Sequence, residues 1–270
     1  ATAVGIEIRT STDRTAWTLV GKVWPNGASW TDQYTGTSNG NLWAPDCTYL
    51  NLYYAASSFG SQKSAIFLAK SSTGMPGSFT HVGLVTSISS ANNYNAIDPN
   101  LLIDGSNWLL SLGSFWTGIK SMDINSSTGL LRDSSVTSLA QRTANNGAIE
   151  ASSIFKNGNF YYLFTSWDNC CQGTSSTYNI RVGRSTSPTG GFVDQAGVSL
   201  LNGGGTLVLG THDNIIGPGG QDVMLDGDGP ILVYRTFETK HPTVGPSVLR
   251  YHPLPYYCHY FPLLLSGLCL

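Results

Sequence analysis

Ile66-Phe67-Leu68-Ala69-Lys70-Ser71-Ser72-Thr73 is a short apolar strand that runs straight into Ser/Thr turn residues, and the chain repeats it. It occurs as Ile6-Glu7-Ile8-Arg9-Thr10-Ser11-Thr12-Asp13, more loosely from Ile119 to Thr128-Gly129, and as Ile180-Arg181-Val182-Gly183-Arg184-Ser185-Thr186, with start spacings of 60, 53 and 61 residues. A second segment recurs between these copies: an acidic residue or proline, a strand, a turn and an aromatic strand. Its copies begin at Trp43-Ala44-Pro45-Asp46, Ile97-Asp98-Pro99, Ile149-Glu150-Ala151 and Gly217-Pro218-Gly219, with second strands expected over 52–57, 108–114, 160–166 and 231–236. Asp104-Gly105, Asn157-Gly158 and Asp226-Gly227 supply the hairpin turns. Each unit is about four short strands in roughly 50–60 residues, the size of a propeller blade.

No stretch sustains a helical period. The opening copy at 6–13 is the outer half of a unit whose inner half would precede Ala1. Counting it gives an all-β, five-bladed β-propeller with first and last blades incomplete. The propeller is expected over 1–236. Residues 237–270 are expected to form an aberrant, poorly ordered tail without a closing strand pair. That tail holds five of the 12 prolines, three of the five histidines and two of the five cysteines, and proline cannot donate to a sheet ladder. The second unit is also expected to be damaged. Its inner acid and closing serine, Asp46 and Ser57, are 11 residues apart, against 16 for Asp98 and Ser114 and for Glu150 and Ser166. About five residues there are read as deleted, too few remaining for two full strands.

Charged residues make up 11% of the chain and the formal net charge is -2, which excludes the basic stripe a nucleic-acid binder needs. The apolar stretch 261–270 is far shorter than the roughly 20 residues that span a bilayer, so no membrane partner is expected. Residues 1–4 do not form a signal peptide. Low charge and the sequon Asn125-Ser126-Ser127 lean towards a secreted, extracellular protein. Five cysteines without a C-x-x-C pair argue against a zinc site. The adjacent Cys170 and Cys171 form either a vicinal disulfide or two separate small buried thiols. Most of the aromatic residues, 11% of the chain, pack in strands; some can stack on sugar rings.

Asp46, Asp98 and Glu150 open the innermost strand of three successive units at spacings of 52 and 52 residues. Equivalent positions in neighbouring blades surround one axis, so the three acids are expected to converge at one mouth of the channel. Crowded carboxylates move one another's pKa values apart, which general acid/base chemistry requires.

Trp43-Ala44-Pro45-Asp46, Tyr94-Asn95-Ala96-Ile97-Asp98-Pro99, Gly147-Ala148-Ile149-Glu150-Ala151 and Gly210-Thr211-His212-Asp213-Asn214, in that order, resemble glycoside hydrolase family 43, and most of all its endo-1,5-α-L-arabinanases. Trp167-Asp168-Asn169-Cys170-Cys171 followed by Ser176-Thr177-Tyr178-Asn179 is similar to its fungal and bacterial arabinanase branch. The resemblance implies endo-hydrolysis of α-1,5-linked arabinan with inversion, as in plant cell-wall degradation. Glu150 matches the general acid and Asp98 the aspartate that raises and orients it. The general base belongs to a segment before residue 1, so this chain is expected to be weakened or inactive. Asp46 matches a neighbour of the site. Trp43, Phe59, Asn95, Phe115 and Trp116 match the walls of a sugar cleft. His212 matches a histidine on the channel axis that contacts a water or an ion such as calcium; no cofactor is required. The implied partner is arabinan or an arabino-oligosaccharide, bound by a monomer. Two alternatives stay open: another activity of the same family (arabinofuranosidase or xylosidase), and a sugar-binding propeller without catalysis.

Overall fold

The computed structural model describes residues 5–14, 16–48, 50–227, 229–238, 248–253 and 268–269. The hairpin turns read from the sequence link strands that pair with their chain neighbours. The first sheet contains β1 (Glu7–Thr10) and β2 (Thr18–Lys22). The second contains β3 (Leu42–Thr48), β4 (Asn51–Ser57), β5 (Ser64–Ser71) and β6 (Phe79–Ile88). The third contains β7 (Asn100–Asp104), β8 (Asn107–Leu112), β9 (Ile119–Ile124) and β10 (Thr137–Ala140). The fourth contains β11 (Ile149–Asn157), β12 (Phe160–Trp167), β13 (Asn179–Ser185) and β14 (Thr206–Leu209). The fifth contains β15 (Ile215–Asp226), β16 (Gly229–Glu238) and β17 (Val248–Pro253). A last short strand, β18 (Leu268–Cys269), pairs Cys269 with Ile8 and Leu268 with Arg9 of β1. The described residues thus form an all-β structure of five antiparallel sheets.

Two expectations are corrected. The second unit has no damaged hairpin: β3 and β4 each run for seven residues, and Thr48 pairs with Asn51 across a two-residue turn. Leu50 takes the left-handed conformation (φ 66°) that such a tight turn demands. The tail is also not free of strands, because β17 lies within it and pairs with β16 from Thr236↔Val248 to Ile231↔Pro253. Proline enters this edge strand only at its last position, where a missing donor costs the ladder least.

The core lies between successive sheets and follows the two-residue period of strands. On β4, Tyr54 packs towards Ile8 of the first sheet and Trp24 just after β2, and its neighbour Tyr53 packs towards Leu101 and Leu110 of the third. On β8, Leu110 joins that second-to-third layer while Leu109 joins Leu163 of the fourth sheet. On β12, Leu163 faces back and Phe164 faces forward to Leu232 and Tyr234 of the fifth. Each central strand therefore buries both faces, which stabilises by about 1.5–3 kcal/mol per large apolar side chain. An ion pair between Arg14 Nε and Asp226 Oδ2 (2.7 Å) links the loop after β1 to the fifth sheet.

Apolar packing is not directional, and the first strands of four sheets are aligned instead by buried polar bonds. The Leu101 N–H of β7 donates to Asp46 Oδ2 of β3 (2.7 Å). The Ile154 N–H of β11 donates to Asn100 Oδ1 (3.0 Å), and Asn100 Nδ2 donates to Asp222 Oδ1 of β15 (3.3 Å). The Ser153 hydroxyl also donates to Asp222 Oδ1 (2.7 Å). Asn100→Ala would leave the Ile154 amide and the Asp222 carboxyl without these partners in a buried layer. We expect a loss of about 2–4 kcal/mol, read as a melting temperature lower by about 2–4 °C for each kcal/mol.

Candidate active site

The acid-bearing ends of the first strands are shaped by a repeated β-bulge. Between Trp43 and Asp46, Glu150 and Ser153, and Gly219 and Asp222, the first strand advances three residues while its partner advances two. The third sheet does the same just before β7: Asn100 pairs with Ser111, and the Gly113 N–H donates to Ile97 O (2.8 Å). The residue after the bulge's first position is left-handed in every copy: Ala44 (φ 41°), Asp98 (φ 55°), Ala151 (φ 51°) and Gly220 (φ 58°). For the three that are not glycine this stores about 1–3 kcal/mol each, a cost that recurs at functional sites.

The bulges correct the expected phase. Asp46 shares its register with Asn100, Ser153 and Asp222, whereas Glu150 shares that of Trp43, and Asp98 that of Ala151. The carboxyls therefore occupy two levels. Asp46 is buried, and with the half-buried Asp222 it lies in the layer that aligns the strands. Asp98 and Glu150 come together in a half-buried position, and the Ala151 N–H donates to Asp98 Oδ2 (3.0 Å).

Both oxygens of Glu150 are engaged. Ser114 Oγ donates to Oε2 (2.6 Å) and the buried Tyr178 phenol donates to Oε1 (2.6 Å). Burial, followed by the charge of Glu150, pushes the Asp98 carboxyl up to about 8, against the opposing pull of the Ala151 N–H and of Arg235 on β16. At the deeper level, burial and then the charge of Asp222 hold Asp46 well above the ordinary carboxylate range. Burial likewise raises Asp222, against its bonds from Ser153, Val223 and Asn100. Two neighbouring carboxyls that resist joint ionisation retain a proton between them, and such a pair can deliver one.

The other expected residues fall in different places. Phe59, in the β4–β5 connection, is 88% exposed, and Trp116, in the β8–β9 connection, is 40% exposed. Phe115 and Trp116 are both left-handed (φ 56° and 45°), and the Phe115 N–H donates to Ile149 O (2.9 Å), beside Glu150. Trp43 is half-buried at the register of Glu150. Asn95 is buried, and its Oδ1 accepts from the Ser64 hydroxyl (2.7 Å), so it braces the segment before Asp98 from inside. His212 is exposed, with Nδ1 2.9 Å from the Gly210 carbonyl oxygen of its own turn. No group of three or more His, Cys, Asp or Glu suited to a metal occurs among the described residues. Cys170 and Cys171 form a vicinal disulfide.

Ser114, Tyr178 and Arg235 were not read as site residues from the sequence. Ser114 and Ser166 did stand out as closing serines of second strands. Both hand a hydroxyl across to the next sheet, Ser114 to Glu150 and Ser166 to Gln221.

The glycosyl hydrolases family 43 model matches residues 1–250. The chain is 42% identical over 240 residues to the extracellular endo-alpha-(1->5)-L-arabinanase 1 of Bacillus subtilis (strain 168), covering 87% of this chain and 73% of that protein. Among solved structures it resembles a GH43 endo-arabinanase from Bacillus licheniformis, with a TM-score of 0.87, 39% identity, and coverage of 95% of this chain and 89% of the other. It also resembles the Cellvibrio cellulosa alpha-L-arabinanase complexed with arabinohexaose, with a TM-score of 0.83, 29% identity, and coverage of 93% and 85%.

The Asp98 carboxyl gives a pH test. Its folded value of about 8 lies above the ordinary 3.8, so the folded state binds the proton more tightly than the unfolded state. The stabilisation is complete below the unfolded value and is lost as pH rises through about 8. Asp98→Asn cannot ionise. Its melting temperature should gain on the parent's progressively between pH 4 and pH 8, as followed by thermal unfolding across that range.

Proposed function

Because the chain belongs to glycosyl hydrolases family 43, we propose that it is a hydrolase of arabinan that cleaves internal α-1,5 links, with Glu150 as general acid. The observation that carries the reading is the Asp98–Glu150 pair, held at the bulged strand ends by the Ala151 amide and two hydroxyl donors. Hydrolysis of a glycosidic bond requires a proton on the leaving oxygen as the C–O bond breaks. A pair that does not ionise twice at neutral pH keeps that proton available, and Asp98 is the group whose charge and proton set the acidity of its neighbour.

The endo action and the substrate rest on likeness to the arabinanases, among them the one complexed with arabinohexaose. In this reading Trp43, Phe59, Phe115 and Trp116 are the apolar surfaces offered to arabinose rings, the exposed Phe59 and Trp116 foremost. Asp46 and Asn95 act from beneath, as buried struts. We read the five sheets as blades of a five-bladed propeller whose bulged strand ends gather at one mouth, acting as a monomer. Extracellular action is supported by the extracellular Bacillus subtilis relative. No helix of the described residues is long and apolar enough to cross a membrane.

Glu150→Gln keeps the shape of the side chain and removes its proton-donating acidity. Release of reducing ends from debranched arabinan should fall by about 10²–10⁴-fold with the fold intact by circular dichroism. Unaltered hydrolysis in this variant would remove Glu150 from the reaction. Binding of arabino-oligosaccharide without turnover in the unsubstituted chain would instead favour a non-catalytic sugar-binding role.

A further inference from the structure

We propose that Tyr178 is a positioning residue for Glu150, and that the loop 168–178 is built to deliver its phenol. This rests on the reading of Glu150 as the general acid. The phenol donates to Oε1 and Ser114 donates to Oε2, each at 2.6 Å, so the carboxyl plane is pinned at both oxygens. Hydroxyl donors favour the ionised form of a carboxyl. When the Glu150 proton passes to the leaving glycosidic oxygen and the C–O bond breaks, the carboxylate left behind is the form both donors hold. They therefore assist the release of the proton as well as fixing its direction.

The fit of Tyr178 is prepared by the neighbouring sheet. A β-carbon on Gly219 of β15 would collide with the Tyr178 ring. At Gly217 (φ 56°) a β-carbon would lie 2.6 Å from that of Ser176. Only glycine leaves both slots open. The loop is clasped internally by Thr177 N–H to Asn169 O (3.1 Å), Asn169 N–H to Thr177 Oγ1 (3.2 Å), Gln172 N–H to Ser176 Oγ (3.0 Å) and the Cys170–Cys171 disulfide.

Its base is pinned to the strand that carries the acid. The Asp168 N–H donates to Ala148 O (3.1 Å), and Asp168 pairs with Arg142 (2.6 Å) and accepts from Asn179 Nδ2 (2.9 Å). The Arg142 and Arg181 guanidinium groups sit 4.6 and 4.5 Å from the Trp167 ring centroid. The start of β11 and the root of the Tyr178 loop thus move as one body. Burial, then the charges of Glu150 and Asp98, hold the phenol well above its ordinary range, so it remains a donor throughout the neutral region.

Tyr178→Phe removes the donor and keeps the ring in its slot. On debranched arabinan, kcat should fall by about 10–100-fold, as for a lost hydrogen bond to a charged group, with KM little changed. The alkaline limb of the kcat profile should move up by about one pH unit. The same effect can be read without turnover. Glu7, Glu150 and Glu238 are the only glutamates, so in protein labelled with carboxyl-¹³C glutamate the Glu150 resonance is the one that Glu150→Gln removes. Its titration midpoint should rise in Tyr178→Phe. A ring that merely fills space predicts lowered stability with both the alkaline limb and the ¹³C midpoint unmoved, and that result would overturn the proposal. Normal turnover in Glu150→Gln would be the separate failure of the acid assignment.

Discussion

The carboxamide of Asn100 carries the connection on which the site depends. Within each sheet, backbone ladders fix strand against strand, but they do nothing to fix one sheet against the next. The apolar layers between sheets are strong and non-directional. Orientation comes from directional bonds in a low-dielectric layer, where each is stronger and its loss is costlier. Asn100 accepts from β11 and donates to β15, while Asp46 accepts from β7. Four first strands are thereby held in one register, and the bulges above this layer inherit their positions from it.

Two carboxyl pairs, at two levels of the first strands of four different sheets, serve different ends. Asp46 is buried, Asp222 is half-buried, and both are wrapped by neutral donors. Asp98 and Glu150 keep partial access to solvent, with hydroxyl donors on one member and a backbone amide on the other. The same physics, burial plus like charge, raises carboxyls at both levels. The upper pair stands at the bulge itself, the lower pair one strand position below it. A single extra residue in the strand, the bulge, separates the structural level from the chemical one.

Spacing made the five-sheet plan legible because the turn residues and the two-residue alternation recur with the unit. Tyr53 and Tyr54 facing opposite layers are an ordinary strand pattern. Asp98 and Glu150 stood out for the same reason and do meet. Spacing failed where the chain adds or omits single residues. Asp46, Asp98 and Glu150 are evenly spaced in sequence, yet the left-handed bulge residues that mark true register are Ala44, Asp98 and Ala151. Residue counting cannot see a bulge. The second hairpin was misread likewise, since Leu50 adopts a left-handed turn conformation usually advertised by glycine or asparagine.

The amino-acid sequence by itself determined the all-β plan, the repeat, the family motifs and the acids Asp98 and Glu150, because these follow from local patterning and residue identity. The tertiary structure alone decided which groups touch those acids. Ser114 lies 36 residues from Glu150, Tyr178 lies 28, and Asp222 stands 122 from Asn100. No local propensity encodes a contact between segments so far apart in the chain. It exists only after apolar burial has stacked them and the buried hydrogen bonds have set their angle.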